Sequence, residues 1–142
     1  MPTRRRSTHS KPGARVEQVA CPLFVPLVEE GWFEHPAAQL IAEEYLGSLR
    51  EAKVEALVLG CTHYPLLKPL LGQVMGPQVK LIDSAQETAR VVASALKEKG
   101  LEAASGAPVT HRFVVSDDEA RFRVVGSRFL GERLGKAEVV AM

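Results

Sequence analysis

The chain has 142 residues, 46% of them hydrophobic and 25% charged, with a net charge of +1. That is enough chain to bury one core. No apolar run approaches the length of a membrane span, and no signal-type apolar segment is present. Near-neutral charge argues against nucleic acid as the main partner of the folded body. Two cysteines without CxxC spacing do not form a disulfide framework, so a reduced, cytoplasmic setting is the expectation.

In chain order, positive charge gathers first. Residues 1–15 hold Arg4, Arg5, Arg6, Lys11 and Arg15, no acid and almost nothing apolar, which predicts a disordered basic arm. Val16 to Cys21 reads as a short strand ending at Pro22. Leu23 to Val28 is apolar but contains Pro26, which cannot donate to a ladder, so a loop or strand edge is expected. Glu29 and Glu30 follow at once; taken alone, carboxylates there fit a solvated role as well as a functional one. Pro36 to Lys53 reads as a helix with Leu40, Ile41, Tyr45, Leu49 and Ala52 along its apolar stripe.

Val54 to Leu59 is a short β-branched and aliphatic run, the pattern of a buried strand. Gly60 breaks it, Cys61, Thr62 and His63 follow, and Pro65 is placed to open a helix running to Met75, stopped by Gly76-Pro77. Val79 to Asp83 is a further strand. Ser84 to Lys99 reads as a helix with a capping box of Ser84 and Glu87, and with Ala89, Val92, Ala93 and Leu96 facing inward. Leu101 to Thr110 is a small-residue linker. His111 to Val115 is a strand, Ser116 with Glu119 signals another capping box and a helix to about Leu130, and Glu138 to Ala141 is an edge strand. Alternating strands and helices predict an α/β fold built on an open parallel sheet with helical layers. The implied organisation is a basic arm over 1–15, an α/β core over 16–100 and a linker with a strand-helix-strand segment over 101–142.

The chemistry concentrates just past the carboxyl end of the Val54 to Leu59 strand, where ligands bind in open α/β sheets. A helix N-terminus behind Cys61 supplies N–H donors and positive potential, which favours thiolate. A thiolate there can act as nucleophile, base or metal ligand. His63 can move or hold a proton, and Glu29 can orient that histidine or bind an ammonium. A buried free thiol beside a hydrogen-bonded histidine accounts for the spacing equally well. His35, His111 and Cys21 are scattered, and no pair has zinc-site spacing. Cys21, between Ala20 and Pro22, reads as a structural thiol.

The run Leu59 to Leu67, LGCTHYPLL, resembles the second cysteine motif of the glutamate racemases, within the aspartate/glutamate racemase superfamily. Ala20-Cys21-Pro22, the segment Phe24 to Glu29, and Ile82-Asp83-Ser84-Ala85 with Glu87-Thr88-Ala89 are similar to other segments of that family in the same order. Arg121-Phe122 and Phe129-Leu130-Gly131 resemble its ending. The resemblance runs from about Val16 to the end of the chain and implies a cofactor-independent exchange of L- and D-glutamate by two thiols on opposite faces of the α-carbon. It implies Cys61 as one acid/base thiol, His63 and Glu29 as its assistants, and Thr62 and His63 as substrate contacts. Neither a cofactor nor a metal is implied. The expected substrate is glutamate and the expected role is D-glutamate supply for peptidoglycan. An Asp-Ser-Gly loop and a Cys-Asn-Thr motif, which the family carries in its first half, are absent from these 142 residues. The resemblance therefore implies the C-terminal half of a racemase, with residues 101–142 packing on a first domain. Such a half would be inactive or incomplete alone. It would be a remnant or part of a split enzyme, with a homodimer or the other racemase half as candidate partner. A relative acting on aspartate or hydantoins fits the Thr-His-Tyr-Pro continuation less well.

Overall fold

A computed structural model describes residues 3–4, 14–131 and 134–141. The basic arm expected over 1–15 falls mostly outside them. Of its described part, Thr3–Arg4 (β1) pairs antiparallel with Glu17–Gln18 (β2). Arg15 Nε donates to Glu17 Oε1 at 2.7 Å. The chain divides into two units, Met1–Thr88 and Ala89–Met142.

In the first unit the stretch Leu23 to Val28 is helical rather than a loop or strand edge. Helix α1 covers Phe24–Glu30. Pro26 is tolerated because it lies in the first turn, where backbone N–H groups have no partner within the helix. Gly31 ends α1 at φ 78°, a left-handed conformation that glycine adopts without strain. Its N–H reaches the Val28 carbonyl at 3.0 Å, and the Trp32 N–H reaches the Leu27 carbonyl at 2.8 Å, closing the helix end.

Helix α2, Pro36–Glu51, has proline in its first turn and is capped by His35, whose Nδ1 accepts the Ala37 N–H at 3.1 Å. The buried residues are Ala38, Ala42, Leu46 and Leu49; of the expected stripe Leu49 is buried and Ile41 and Tyr45 pack against the core, while Leu40 is 67% exposed. Two alanines let neighbouring backbones approach closely, so the face chosen is set by fit rather than by the largest side chains.

Strands β3 (Ala56–Leu59) and β4 (Lys80–Asp83) pair in parallel, Ala56 opposite Lys80 and Leu59 opposite Asp83. Between them lie a 3₁₀ turn, Tyr64–Leu67, and helix α3, Lys68–Met75. The continuous helix expected from Pro65 is thus split: Pro65 opens the 3₁₀ turn and Pro69 restarts the chain as α3. Phe24, Leu27 and Val28 of α1, Ala42, Leu46 and Leu49 of α2, Leu59 of β3, Leu67, and Leu70, Leu71 and Val74 of α3 form one buried cluster. Period-two alternation puts Leu57 and Leu59 on that inner face and leaves Val58, 62% exposed, on the outer one.

Helix α4, Ser84–Glu98, starts in the first unit and ends in the second. None of its residues is buried: Val92 is 51% and Leu96 40% exposed, against the expectation that they face inward. The periodic stripe exists, but no described side chains bury it.

In the second unit β5 (Phe113–Val115) pairs in parallel with β6 (Ala137–Val139), joined through helix α5 (Glu119–Leu130). Arg112 forks onto the Glu138 carboxylate, with Nε–Oε1 at 3.0 Å and Nη2–Oε2 at 2.6 Å. The cap of α5 is Asp118, whose Oδ1 accepts the Arg121 N–H at 2.9 Å, not Ser116. The helix begins two residues later than the Ser116 box requires, and Asp118 is the acceptor three residues before the orphan N–H.

Candidate functional site

The Cys61 loop is fixed from both ends. Leu59, the last residue of β3, is fully inside the core, and Leu67 at the end of the 3₁₀ turn is equally buried. Between them the Tyr64 N–H donates to the Cys61 carbonyl at 3.2 Å and the Leu66 N–H to the His63 carbonyl at 3.1 Å. These turns hold Cys61, Thr62 and His63 on one short arc at the carboxyl end of β3.

His63 is the centre of the arc. Its Nδ1 lies 3.9 Å from Cys61 Sγ and 3.4 Å from Thr62 Oγ1. Its Nε2 lies 3.6 Å from Glu29 Oε1. The side chains of His63 and Glu29 are both partly shielded from solvent. We assign the tautomer from these neighbours: Nε2 carries the proton toward the carboxylate, and the Nδ1 lone pair faces the thiol and the hydroxyl. Glu29 gets there because α1 carries it beside buried Val28, a placement that depends on this segment being helical. The structure therefore brings together all four residues singled out in the sequence: Cys61, Thr62, His63 and Glu29.

An aromatic anchor sits beneath the loop. The Phe24 ring of α1 makes edge contacts with Tyr45 of α2 (centroids 5.3 Å apart) and Tyr64 (5.4 Å). The Tyr64 hydroxyl donates to the Cys21 carbonyl at 3.3 Å. Burial first, then the neighbouring Cys21, Cys61 and Tyr45 groups, push the Tyr64 phenol above its ordinary range, so it remains a neutral donor. Cys21 is buried, its Sγ 3.8 Å from the Val19 carbonyl, and burial pushes its thiol up to about 11. It stays protonated and is not part of the arc.

A polar brace stands at the end of β4. Lys68 Nζ lies 2.9 Å from Asp83 Oδ2 and donates to Gln86 Oε1 at 3.1 Å. Asp83 Oδ1 accepts the Ala85 N–H at 2.9 Å and the Gln86 N–H at 3.3 Å, capping α4. The Ser84 hydroxyl donates to the Leu59 carbonyl at 3.4 Å, one residue before Gly60. Lys68 hydrogen bonding, opposed by burial and helped by the two backbone N–H groups, holds the Asp83 carboxyl below its ordinary range. Sequence reasoning missed this brace. Its available signal was an aspartate at a strand end followed by small residues and a helical pattern.

Among the described residues no group of three His, Cys, Asp or Glu side chains could hold a metal ion. No described helix is long and apolar enough to cross a membrane.

No family model matches the chain. Known proteins do. A glutamate racemase of Geobacter metallireducens is 51% identical over 131 residues, which is 92% of this chain and 48% of the relative. One of Neisseria meningitidis is 45% identical over 138 residues, 96% of this chain and 51% of the relative. The chain resembles the C-terminal half of a glutamate racemase. It spans about half the length of the curated relatives it matches. Solved glutamate racemases superpose on it as well. The Thermus thermophilus enzyme, in complex with β-chloro-D-alanine, gives a TM-score of 0.76 at 46% identity, over 87% of this chain and 47% of that one. The Francisella tularensis enzyme, in complex with D-glutamate, gives 0.75 at 36% identity, over 85% and 45%. The racemase likeness thus extends to the fold, α/β with parallel strand pairs.

Proposed function

We propose that this chain supplies one of the two thiols of a cofactor-independent glutamate racemase, with Cys61 as its acid/base group. The observation that carries the reading is the arc itself: thiol, imidazole and carboxylate in sequence at the carboxyl end of a strand, in a chain similar to glutamate racemases over nine-tenths of its length. In this reading the Cys61 thiolate takes the α-proton of one glutamate enantiomer, forming S–H and leaving a carbanion delocalised into the carboxylate. A thiol on the opposite face gives its proton to the α-carbon and becomes a thiolate. His63, held by Glu29, carries the Cys61 proton away to reset the site. Thr62 offers its hydroxyl to the substrate carboxylate. The product is D-glutamate, consumed in peptidoglycan synthesis in the cytoplasm.

Cys21 does not serve as the opposing thiol, because it is buried away from the arc and burial raises its thiol to about 11, so it does not give its proton up near neutral pH. The second thiol belongs to the half of a racemase that this chain does not match. The chain alone is then limited to one-sided chemistry: exchange of the α-proton with solvent on one enantiomer, without inversion. Incubation of each enantiomer in D2O, read by mass spectrometry and circular dichroism, tests this. Exchange on a single enantiomer that disappears in Cys61→Ala is the expected result, and exchange or racemisation that survives Cys61→Ala overturns the role of Cys61. The runner-up reading is an inactive remnant or a partner-binding half; adding the complementary racemase half without gaining racemisation favours it.

A further inference from the structure

Helix α1 has no side-chain cap at Leu23. Two phenols from elsewhere in the chain hold its entry instead. The Tyr45 hydroxyl of α2 accepts the Leu23 N–H at 3.4 Å, and the Tyr64 hydroxyl donates to the Cys21 carbonyl at 3.3 Å. The same carbonyl accepts the Phe24 N–H at 3.2 Å, so it is the pivot of the turn that starts the helix. The two phenols differ in what they join. Tyr45 ties α1 to α2. Tyr64 directly follows His63 in the chain, and its N–H is bonded to the Cys61 carbonyl. Its hydroxyl therefore ties the start of α1 to the loop that carries the thiol and the imidazole. Near the other end of the same helix, Glu29 Oε1 meets His63 Nε2 at 3.6 Å. The contacts close a ring that runs from Cys21 along α1 to Glu29, across to His63 and Tyr64, and back to Cys21. A separation of 3.6 Å is too long for a hydrogen bond that sets its own geometry. It follows from where α1 starts, and the Tyr64 bond fixes that start against the loop.

We propose that Tyr64 is a positioning residue for the Cys61 site: through the Cys21 carbonyl and α1, its hydroxyl sets the distance between Glu29 and His63, and with it which ring nitrogen faces the thiol. The proposal rests on the reading of His63 as the assistant of Cys61, and the geometry it predicts is read without turnover. Burial keeps the phenol protonated, so the bond to Cys21 persists at neutral pH. The ring of Tyr64 packs on Phe24 independently of its hydroxyl, so Tyr64→Phe removes the tie and keeps the packing.

The test uses the full 142-residue chain with nitrogen-15 in its histidine rings, His63 being assigned by the signals lost in His63→Asn. Spectra are taken at about pH 8, where an ordinary histidine is neutral. The wild type shows two well-separated His63 ring nitrogens, a protonated Nε2 and a bare Nδ1. In Tyr64→Phe the two signals draw together as the tautomers exchange, and the ratio favouring protonated Nε2 falls by about two- to tenfold, the effect of one hydrogen bond. Glu29→Gln lowers the same ratio, and adding Tyr64→Phe to it changes nothing more, because Tyr64 acts through Glu29. Tyr45→Phe, which loses a comparable bond at the start of α1, leaves the His63 signals in place. Unchanged His63 signals in Tyr64→Phe overturn the proposal. An equal shift in Tyr45→Phe also overturns it, because the effect is then a general loosening of α1. Additive effects in the double variant overturn the route through Glu29. Deuterium exchange at the α-carbon of glutamate is measured on the same proteins. Exchange whose kcat falls with the tautomer ratio while KM stays constant supports both the positioning role and the proposed function. A His63 shift in a chain whose wild type shows no exchange supports the positioning role and counts against the racemase reading.

Discussion

Glu29 Oε1 lies 3.6 Å from His63 Nε2, although the two residues come from different elements, α1 and the loop after β3. The contact turns the other ring nitrogen toward Cys61. A carboxylate, an imidazole and a thiol in line form a route along which a proton can be moved. With the complementary half present, Glu29→Gln keeps the shape and removes the charge. Racemisation is expected to fall by about 10²-fold, the lower range for a positioned acid/base group, with the loss in kcat rather than KM. Steady-state kinetics in both directions check this.

The two cysteines differ in environment. Iodoacetamide is expected to label Cys61 in the native chain and to spare Cys21, whose burial raises its thiol to about 11. Both label in denaturant. Peptide mapping by mass spectrometry separates the two sites, and native labelling of Cys21 at neutral pH would contradict the burial described here. A thiol whose proton is held more tightly in the folded state stabilises the fold below its unfolded value and loses that contribution as pH rises toward 11.

The Lys68–Asp83 pair joins α3 to the cap of α4. Asp83→Ala is expected to cost roughly 1–3 kcal/mol, between the exposed and fully buried limits for an ion pair. Because the folded carboxyl is held below its ordinary value, its contribution is present above about pH 4 and fades as pH falls through the folded value. Urea melts at pH 7 and pH 3 measure the difference, which should shrink in the variant.

Phe24 ties α1 to both Tyr45 and Tyr64. Phe24→Ala is expected to destabilise the first unit by about 3–5 kcal/mol and to loosen the Glu29–His63 contact with it. Phe24→Leu keeps most of the buried volume but loses the two ring contacts, each worth about 0.5–1.5 kcal/mol. Thermal melts order the three proteins as wild type, Leu, Ala.

The stripe on α4 makes a contrasting case. Val92 and Leu96 contribute no buried surface among the described residues. Val92→Glu is therefore expected to leave stability within about 0.5 kcal/mol, as surface changes do, while improving solubility by interrupting an exposed apolar face. Chemical denaturation and light scattering read the two effects separately.

The amino-acid sequence alone determined the position of β3, the turn at Gly60 and the candidate set Cys61, Thr62, His63 and Glu29. β3, the turn and the Cys61–Thr62–His63 run rest on local signals, a short aliphatic run, a breaker and polar groups at a strand end, whereas Glu29 joined the set through the family resemblance. It also determined the alternation of strand and helix, which follows from switching hydrophobic periods. What it could not decide was anything settled by fit. Pro26 argued against regular structure at Leu23 to Val28, yet the first turn of a helix needs no N–H there, and packing of Phe24, Leu27 and Val28 made α1. On α2 Ala38 and Ala42 are buried while Leu40 is exposed, because close approach favours small side chains. The Ser84 hydroxyl on the Leu59 carbonyl and Lys68 on Asp83 join residues distant in the chain, and no periodicity announces them. Tertiary structure decided those points, because burial and backbone hydrogen bonding are shared between elements and are settled only when the elements meet.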